Sequence, residues 1–301
     1  MKKLALIVAL LIISVIAFAQ TLRLATYQYA DNNRIKNISP LAGYLQAKLG
    51  CEVTVHSYPT VHAFIEAIRN NETDIALINT FGYLLLEASS QKYSMVPALT
   101  LYVRDDAKDN YKTCFVVPAS SPIHSLEDAK QFAATSKLML VATGSTSGNL
   151  VPRLVLSRIS LTDVETQFQS FEYGKTHAAT LQAVVNNQAD IAAMGYTEYQ
   201  KLESDTSAIR KIRRVWLSPE IPLGPVLLSK HLSALQQKNI TEALLNLHTA
   251  DTAALESLKA GWSEAKQATH YITIKTSFYD SFKKMLGKKE DLQRILTQFA
   301  N

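Results

Sequence analysis

The feature that most constrains this fold is a twelve-residue segment that occurs twice, once in each half of the chain. Residues Ala67–Ile78 align with residues Ala183–Met194, and six of the twelve aligned positions are identical. Each copy has the pattern of a helix end, an Asn-Asn stop and an aspartate that opens a buried strand. Short matches also arise by chance between two αβ corners. Because the two copies have parallel surroundings, the repeat predicts two similar α/β lobes.

Strand-like and helix-like stretches alternate along the first half. Predicted strands cover Leu22–Tyr27, Val53–Ser57 and Asp74–Ile78, and the first helix is predicted to open at Ser39-Pro40. Such alternation predicts a mostly parallel sheet flanked by helices. Ligands of these sheets bind beyond the carboxyl ends of the strands. Four residues therefore lie at the candidate rim of this half: Tyr27, Asn79, Thr80 and Phe81.

Two extended runs are predicted to carry the chain between the lobes as hinge strands. They are Tyr111–Val117 and the proline-containing Val215–Pro222, in which proline restricts the backbone to extended conformations. The helical stretch after Leu232 is expected to pack back on the first lobe. The predicted division is a signal peptide at 1–19, a first lobe from 20–111 and 218–301, and a second lobe at 112–217. A cleft between two such lobes is the expected pocket.

The N-terminus has the pattern of a secretory signal peptide. Two lysines precede the apolar run Leu4–Ala19, and the small residues that end it predict cleavage before Gln20. That run is shorter than the ~20 residues that span a bilayer, although an uncleaved anchor remains an alternative. The mature protein is therefore expected to be exported to the periplasm.

The net charge and the two cysteines bear on nucleic-acid binding and on disulfide formation. The net charge of +5 includes Lys2 and Lys3, so removal of the signal peptide leaves a mild excess that does not predict nucleic-acid binding. Cys51 and Cys114 lie in strand-like contexts. The compartment permits a disulfide, but the spacing gives no argument for one, so two separate buried thiols are predicted.

A Gly/Ser/Thr loop at Thr143–Pro152 is the candidate functional element. It follows a strand-like run and leads into a helix-like run. The first N–H groups of a helix lack intrahelical partners, and the helix dipole adds positive potential there. Pro152 suits the first turn, because its missing N–H would be unpaired anyway. The loop therefore predicts an anion pocket, with a well-capped helix after a solvated turn as the alternative.

These residues together resemble the phosphate/phosphite/phosphonate-binding proteins of ABC importers, a branch of the periplasmic solute-binding superfamily. The most specific element is the run Ser145–Pro152 with a downstream histidine, His177. Weaker matches are Ser39-Pro40-Leu41 with Tyr44-Leu45, Asp74-Ile75-Ala76, Tyr111, Ala183-Val184, Asp190, Ser218-Pro219 and Ile221-Pro222. The resemblance implies a type II periplasmic-binding-protein fold, whose two similar lobes close on a small phosphorus oxyanion.

The resemblance also implies the residues that contact the ligand. Hydroxyl and backbone groups of the Gly/Ser/Thr loop would donate to the oxyanion, His177 would donate to another oxygen, and Tyr111 would contribute its phenol from the hinge. The alternatives are a helix-start histidine bonded to backbone and a packed hinge aromatic. The predicted ligand-binding residues are Ser145, Thr146, Ser147, His177, Tyr111 and, with less support, Thr80 and Tyr58.

The chain also departs from the family pattern. Family members that take an aminoalkyl phosphonate hold its ammonium with carboxylates, and Gly224 stands where one of these is expected. Val61 replaces a first-lobe tyrosine, and Glu198 is displaced by one residue from another acidic position. A buried ammonium needs a paired anion. The missing carboxylate therefore argues against 2-aminoethylphosphonate and favours phosphate, phosphite or a short alkylphosphonate.

Two other classes of function stay open at the level of sequence. An enzyme is disfavoured because the chain lacks a His-x-x-x-His metal motif with glutamate, a Gly-x-Ser-x-Gly elbow and a phosphate-binding Gly-x-x-x-x-Gly-Lys loop. A ligand-sensing module for a membrane receptor would bind the same ligands. The prediction is a monomeric binding protein that delivers a phosphorus oxyanion to an inner-membrane ABC permease, with no cofactor, metal or nucleic acid.

Overall fold

Two β-sheets organise this computed structural model, which describes residues 21–29, 32–104, 106–107, 110–287 and 289–299. The strands are β1 Leu22–Tyr27, β2 Val53–Tyr58, β3 Ile75–Leu77, β4 Met95–Val103, β5 Thr113–Pro118, β6 Lys137–Leu140, β7 Ser170–Tyr173, β8 Ile191–Gly195, β9 Ile212–Leu217, β10 Pro225–Ser229 and β11 Ala268–Thr273. The predicted signal peptide at 1–19 lies outside the described residues.

Helices cover both sheets. They are α1 Arg34–Leu49, α2 Val61–Arg69, α3 Thr80–Ala88, α4 Ala129–Phe132, α5 Val151–Arg158, α6 Val164–Gln167, α7 His177–Val185, α8 Tyr196–Leu202, α9 Thr206–Ile209, α10 Ala234–Ala250, α11 Thr252–Lys259, α12 Asp280–Leu286 and α13 Lys289–Thr297. Within the described ranges, none of them combines the length and the apolar run that crossing a bilayer would require.

The sheets define two lobes. In the first lobe the strand order is β11-β4-β10-β3-β1-β2, and in the second lobe it is β7-β6-β8-β5-β9. Both sheets are mixed rather than mostly parallel. The β2-β1-β3 and β7-β6-β8 sections are parallel, as βαβ alternation predicts. The remaining pairings are antiparallel, and each of them includes at least one strand next to a crossing: β4, β5, β9 or β10.

The first helix begins earlier than the sequence pattern predicts. Asn33 caps α1, since its side chain accepts a hydrogen bond from the Lys36 backbone N–H at 3.0 Å. Pro40 then lies inside the helix instead of opening it. An Asn cap satisfies one of the unpaired first-turn donors, so α1 starts at Arg34 and brings that side chain close to the end of β1.

The chain crosses between the sheets twice, between β4 and β5 and between β9 and β10. The two crossings run side by side. The Ile221 N–H donates to the Tyr111 carbonyl at 2.7 Å, and the Ser218 N–H donates to the Thr113 carbonyl at 2.8 Å. These paired segments form the hinge, and they place Tyr111 at the base of the space between the lobes.

The C-terminal helix α13 forms a further link between the lobes. The Gln293 side chain donates to the Ala88 carbonyl at 2.7 Å in the first lobe. Arg294 donates to the Ser157 hydroxyl at 2.9 Å and to the Thr162 carbonyl at 3.1 Å in the second lobe. The C-terminal segment thus contacts both lobes, whereas the sequence predicts packing on the first alone.

The two cysteines are separate free thiols, as predicted. Cys114 is buried in β5, but Cys51 is only half-buried at the turn before β2. Burial raises the pKa of the Cys114 thiol to about 12, so this sulfur stays protonated and packs as a small apolar group.

Candidate ligand-binding site

A cavity of about 250 Å³ lies between the lobes. The second lobe lines it with Gly144, Ser145, Thr146, Ser147, His177, Gly195, Thr197 and Glu198. The first lobe contributes Tyr27, Tyr29, Asn32, Arg34, Asn79, Ala260, Gly261, Ser263 and Glu264, and the hinge contributes Tyr111 and Lys112. Five of the predicted residues therefore meet at one cavity, together with Tyr27 and Asn79 from the predicted rim.

The predicted anion loop starts a helix with an unusual first turn. Ser145 is the N-cap, and a π-helical turn at Thr146–Leu150 leads directly into α5. The Leu150 N–H bonds to the Ser145 carbonyl, five residues back, at 3.1 Å. The first N–H groups of a helix lack intrahelical partners, and residues at the start of this helix line the cavity. This arrangement favours an anion.

Two loop hydroxyls are already oriented by backbone groups. The Ser145 Oγ accepts a hydrogen bond from the Gly148 N–H at 3.0 Å, and the Thr146 Oγ1 accepts one from the Phe81 N–H at 2.9 Å. Each hydroxyl has one proton to donate and oxygen lone pairs to accept. The side chains of Thr146 and Ser147 also lie within hydrogen-bond reach of the Tyr111 phenol, so the loop hydroxyls and that phenol form one polar cluster at the cavity.

A buried side-chain network supports the loop from behind. The Asn149 amide donates to the Thr143 carbonyl at 2.8 Å and accepts from the Arg153 Nε at 2.8 Å. Arg153 in turn bonds the Glu165 carboxylate at 3.0 Å. Burial alone would raise the pKa of Glu165, but the bonds from Arg153 lower it below its ordinary value. The ion pair therefore stays charged and fixes the loop backbone before any ligand arrives.

His177 has a defined tautomer that suits an oxyanion. Its Nδ1 accepts a hydrogen bond from the Gly195 N–H at 2.8 Å, so in the neutral ring the proton lies on Nε2. Burial lowers the pKa of His177 to about 4. The ring is therefore neutral at pH 7. It is bonded to backbone and also lines the cavity, and its role as a donor to the ligand stays a prediction.

We expect this burial to make folding stability depend on pH. The folded-state pKa lies below the ordinary 6.5, so the unfolded chain binds the proton more readily. Stability is therefore fully present above about pH 6.5 and is lost as pH falls toward 4, by roughly 3 kcal/mol from this group. Urea unfolding of wild type and His177→Gln between pH 4 and 7 should show a smaller acid loss in the variant. Equal slopes would contradict the neutral buried ring.

Tyr111 lies at the hinge base of the cavity and is buried. Burial, with a further contribution from the charge of Glu264, raises the pKa of its phenol well above 10. The hydroxyl therefore keeps its proton. Its backbone N–H donates to the Glu220 carboxylate at 2.8 Å, which anchors the residue to the second crossing segment. Tyr111 is thus an aromatic residue packed in the hinge, and it also lines the cavity.

Thr80 and Tyr58 are not among the residues that line the cavity in the described part of the chain. The Thr80 hydroxyl donates to the Pro222 carbonyl at 2.6 Å and so ties α3 to the hinge. The Tyr58 hydroxyl donates to the Glu72 carboxylate at 3.1 Å, and its ring stacks on Phe64. Both side chains are held by neighbours outside the cavity, and their assignment as ligand contacts stays a prediction that this geometry does not favour.

Direct contacts between the lobes close one side of the cavity. The Asn79 amide donates to the Gly144 carbonyl at 2.9 Å. Val61, at the position where a tyrosine was expected, packs so closely that a Cβ added to Gly144 would lie 2.3 Å from its Cγ1. These contacts and the Phe81–Thr146 bond join the start of α2 and α3 to the anion loop.

The structure weakens the sequence-based argument that Gly224, in place of a carboxylate, disfavours an amine-bearing ligand. No side chain fits at Gly224 with this backbone, because a Cβ there would lie 2.0 Å from the Ile78 carbonyl oxygen. Two other carboxylates, however, line the cavity: Glu198 and Glu264. Glu198 is also paired with Lys201 at 2.6 Å, and burial raises the pKa of Glu264. The absence of an acidic residue at position 224 therefore does not exclude an amine-bearing ligand.

Sequence reasoning missed Arg34, Tyr29 and Glu264. Arg34 lies in the first turn of α1, just beyond the carboxyl end of β1. A prediction of Asn33 as the helix cap would have placed Arg34 at the rim of the cavity. Glu264 comes from the segment after α11, which only the tertiary fold brings to the cavity, so no local pattern points to it.

Comparison with known proteins decides the family. Residues 25–271 match the family described as “ABC transporter, phosphonate, periplasmic substrate-binding protein”. The chain belongs to this family. Its members are substrate-binding components of transporters, which confirms the prediction that the chain is not an enzyme.

Individual relatives agree with this family. A phosphonates-binding periplasmic protein of Escherichia coli (strain K12) is 27% identical over 262 residues, which cover 84% of this chain and 73% of the relative. Among solved structures, PhnD1 from Prochlorococcus marinus (MIT 9301), in complex with methylphosphonate, has a TM-score of 0.68 at 16% identity and covers 89% of this chain and 97% of its own.

A binding protein component of an ABC phosphonate transporter from Pseudomonas aeruginosa has a TM-score of 0.66 at 18% identity, covering 94% of this chain and 96% of its own. At such identities these structures establish the fold. The predicted two-lobed, type II periplasmic-binding-protein fold is confirmed.

Proposed function

We propose that this protein captures a phosphonate between its lobes and delivers it to an ABC permease in the inner membrane. The observation that carries the proposal is the anion loop, where Ser145 and Thr146 face the cavity with oriented hydroxyls. Membership of a phosphonate family and the similarity to phosphonate-binding relatives support it.

The donors around the cavity suit a tetrahedral oxyanion. The loop offers hydroxyl and first-turn N–H groups, His177 offers a neutral Nε2–H, and Tyr111 offers a protonated phenol. Hydrogen bonds to a charged acceptor are worth about 1.5–3 kcal/mol each. Since these donors come from the second lobe and the hinge, we infer that the ligand binds there first and that the first lobe closes over it.

Phosphonate is preferred over phosphite and phosphate because of the room in the cavity. A cavity of about 250 Å³ has more room than a small inorganic oxyanion fills. The extra space lies against first-lobe side chains, where the organic part of a phosphonate would fit. Glu198 and Glu264 also line the cavity, and a carboxylate there could pair with an amine on the organic part of the ligand.

The remaining predictions become part of this proposal. The lobes 20–111 with 218–301 and 112–217 move about the hinge, the N-terminal segment directs export and is cleaved before Gln20, and the mature protein acts as a monomer. Delivery to a sensor kinase instead of a permease would use the same cavity, so neighbouring genes distinguish those two partners.

A thermal-shift screen of the mature protein tests the ligand class. Ligands that bind the native state raise the melting temperature by mass action. We expect methylphosphonate and ethylphosphonate to raise it more than phosphite, phosphate or sulfate at equal concentration. A shift with 2-aminoethylphosphonate would show that Glu198 or Glu264 pairs with the amine. A larger shift with sulfate than with any phosphonate would overturn the assignment.

A further inference from the structure

Arg34 is a buried cation, and two of its three guanidinium nitrogens have no hydrogen-bond partner among the described residues. The side chain is 3% exposed and lines the cavity. Its Nε and Nη1 make no hydrogen bond to described residues. Leaving such donors unpaired in a buried site is costly. The cost is recovered if a ligand supplies acceptors, which makes this side chain a candidate binding group.

Aromatic packing fixes the direction of the guanidinium. Its central carbon lies 3.9 Å from the ring centroid of Trp262 and 5.3 Å from that of Tyr27. Stacking of this kind holds the planar group in one orientation. The plane of the guanidinium is therefore preset, and a carboxylate would make two parallel bonds by pairing Nη2 with either unpartnered nitrogen, Nε or Nη1.

A second unpartnered donor lies on the same wall. The Tyr29 hydroxyl is buried without a hydrogen-bond partner among the described residues, and its ring lies 6.0 Å from that of His177. Burial raises the pKa of this phenol, so the group is a donor at neutral pH. The first-lobe wall thus presents unpaired donors opposite the anion loop of the second lobe, and the hinge separates the two sets.

We propose that Arg34, with Tyr29, forms a second subsite that binds a carboxylate on the organic end of the ligand. This inference rests on the proposed function. The ligand class is a carboxyalkyl phosphonate, whose phosphorus end occupies the Ser145–Ser147 loop and whose carboxylate reaches the fork of Arg34. Glu264 lies on the same wall, but burial raises the pKa of its carboxyl, which reduces its repulsion of a second anion.

Calorimetric titration of the mature wild-type protein tests the subsite without any mutation. The probes are 3-phosphonopropionate and propylphosphonate, which differ in the terminal carboxylate, with methylphosphonate as the shared reference. We expect 3-phosphonopropionate to bind at least tenfold more tightly than propylphosphonate. Equal or weaker binding of the carboxylate ligand would overturn the inference while leaving phosphonate capture intact. Failure of all three to bind would overturn the proposed function and the subsite with it.

Variants then assign the preference to Arg34. Arg34→Met should abolish the preference, whereas Arg34→Lys, which keeps the charge but not the fork, should retain part of it. Arg210→Met, at an exposed position, is the matched control and should leave all affinities unchanged. If Arg34→Met weakens methylphosphonate as much as 3-phosphonopropionate, Arg34 binds the phosphorus group itself and the inference is wrong. If that variant does not fold, the lysine variant and the wild-type comparison still decide.

Discussion

The double variant Ser145→Ala, Thr146→Ala is expected to bind methylphosphonate at least tenfold more weakly than wild type. Both hydroxyl oxygens accept backbone N–H groups, which hold the two side chains at the wall of the cavity. If each lost bond to the oxyanion costs about 1.5 kcal/mol, the two together amount to roughly a hundredfold loss in affinity. Isothermal titration calorimetry of the mature protein measures the change.

The control for this variant carries the same two substitutions away from the cavity. Ser120→Ala with Thr135→Ala alters exposed positions of the same lobe and should leave affinity within twofold of wild type. Loss of the Ser145 cap also removes about 1 kcal/mol of helix stability, so melting temperatures are compared in parallel. Unchanged methylphosphonate affinity in a folded Ser145→Ala, Thr146→Ala protein would refute the role of the loop.

Gly144→Ala is expected to weaken methylphosphonate binding by at least tenfold while leaving every ligand donor in place. Its added Cβ would lie 2.3 Å from the Val61 Cγ1 across the lobe interface, a distance that real Cβ contacts do not reach. Gly144 is not among the glycines with positive φ, so alanine causes no backbone strain there. The clash therefore acts on the closed arrangement, and binding weakens because the binding-competent state becomes less populated.

A compensating change separates this clash from other effects of the substitution. Gly144→Ala with Val61→Ala should recover most of the lost affinity, because the shorter side chain leaves room for the new Cβ. Gly43→Ala has no atom within 4 Å of its Cβ and should bind as wild type does. If the double variant binds as weakly as Gly144→Ala alone, the contact with Val61 does not control closure.

Much of the fold follows from local patterns. The repeated segment at Ala67 and Ala183 predicts two lobes because a helix end, an Asn-Asn stop and an aspartate specify the same corner wherever they occur. The start of α1 was misplaced because Pro40 usually marks a first turn, whereas the Asn33 cap is the stronger signal here. The mixed sheets could not be predicted, since the direction of β10 depends on where the chain returns from the other lobe.

The candidate site likewise contains residues that were predicted from the sequence and residues that were missed. Ser145 was predicted because a hydroxyl-rich loop before a helix is a local feature, and His177 was predicted because the family resemblance includes a downstream histidine. Arg34 and Glu264 were missed because only tertiary packing brings them to the cavity. The weight given to Gly224 was too great, since one position in sequence cannot show which other carboxylates reach the same space.

The hydrogen bonds that α13 makes to both lobes affect the apparent affinity of the protein for its ligand. In the proposed opening of the lobes, the Gln293 bond to the first lobe or the Arg294 bonds to the second would break. These bonds favour the closed form whether or not a ligand is present, and apparent affinity follows the fraction of molecules that are closed. Changes in α13 are therefore expected to shift the ligand concentration at which the protein is half-saturated, without altering which ligand it binds.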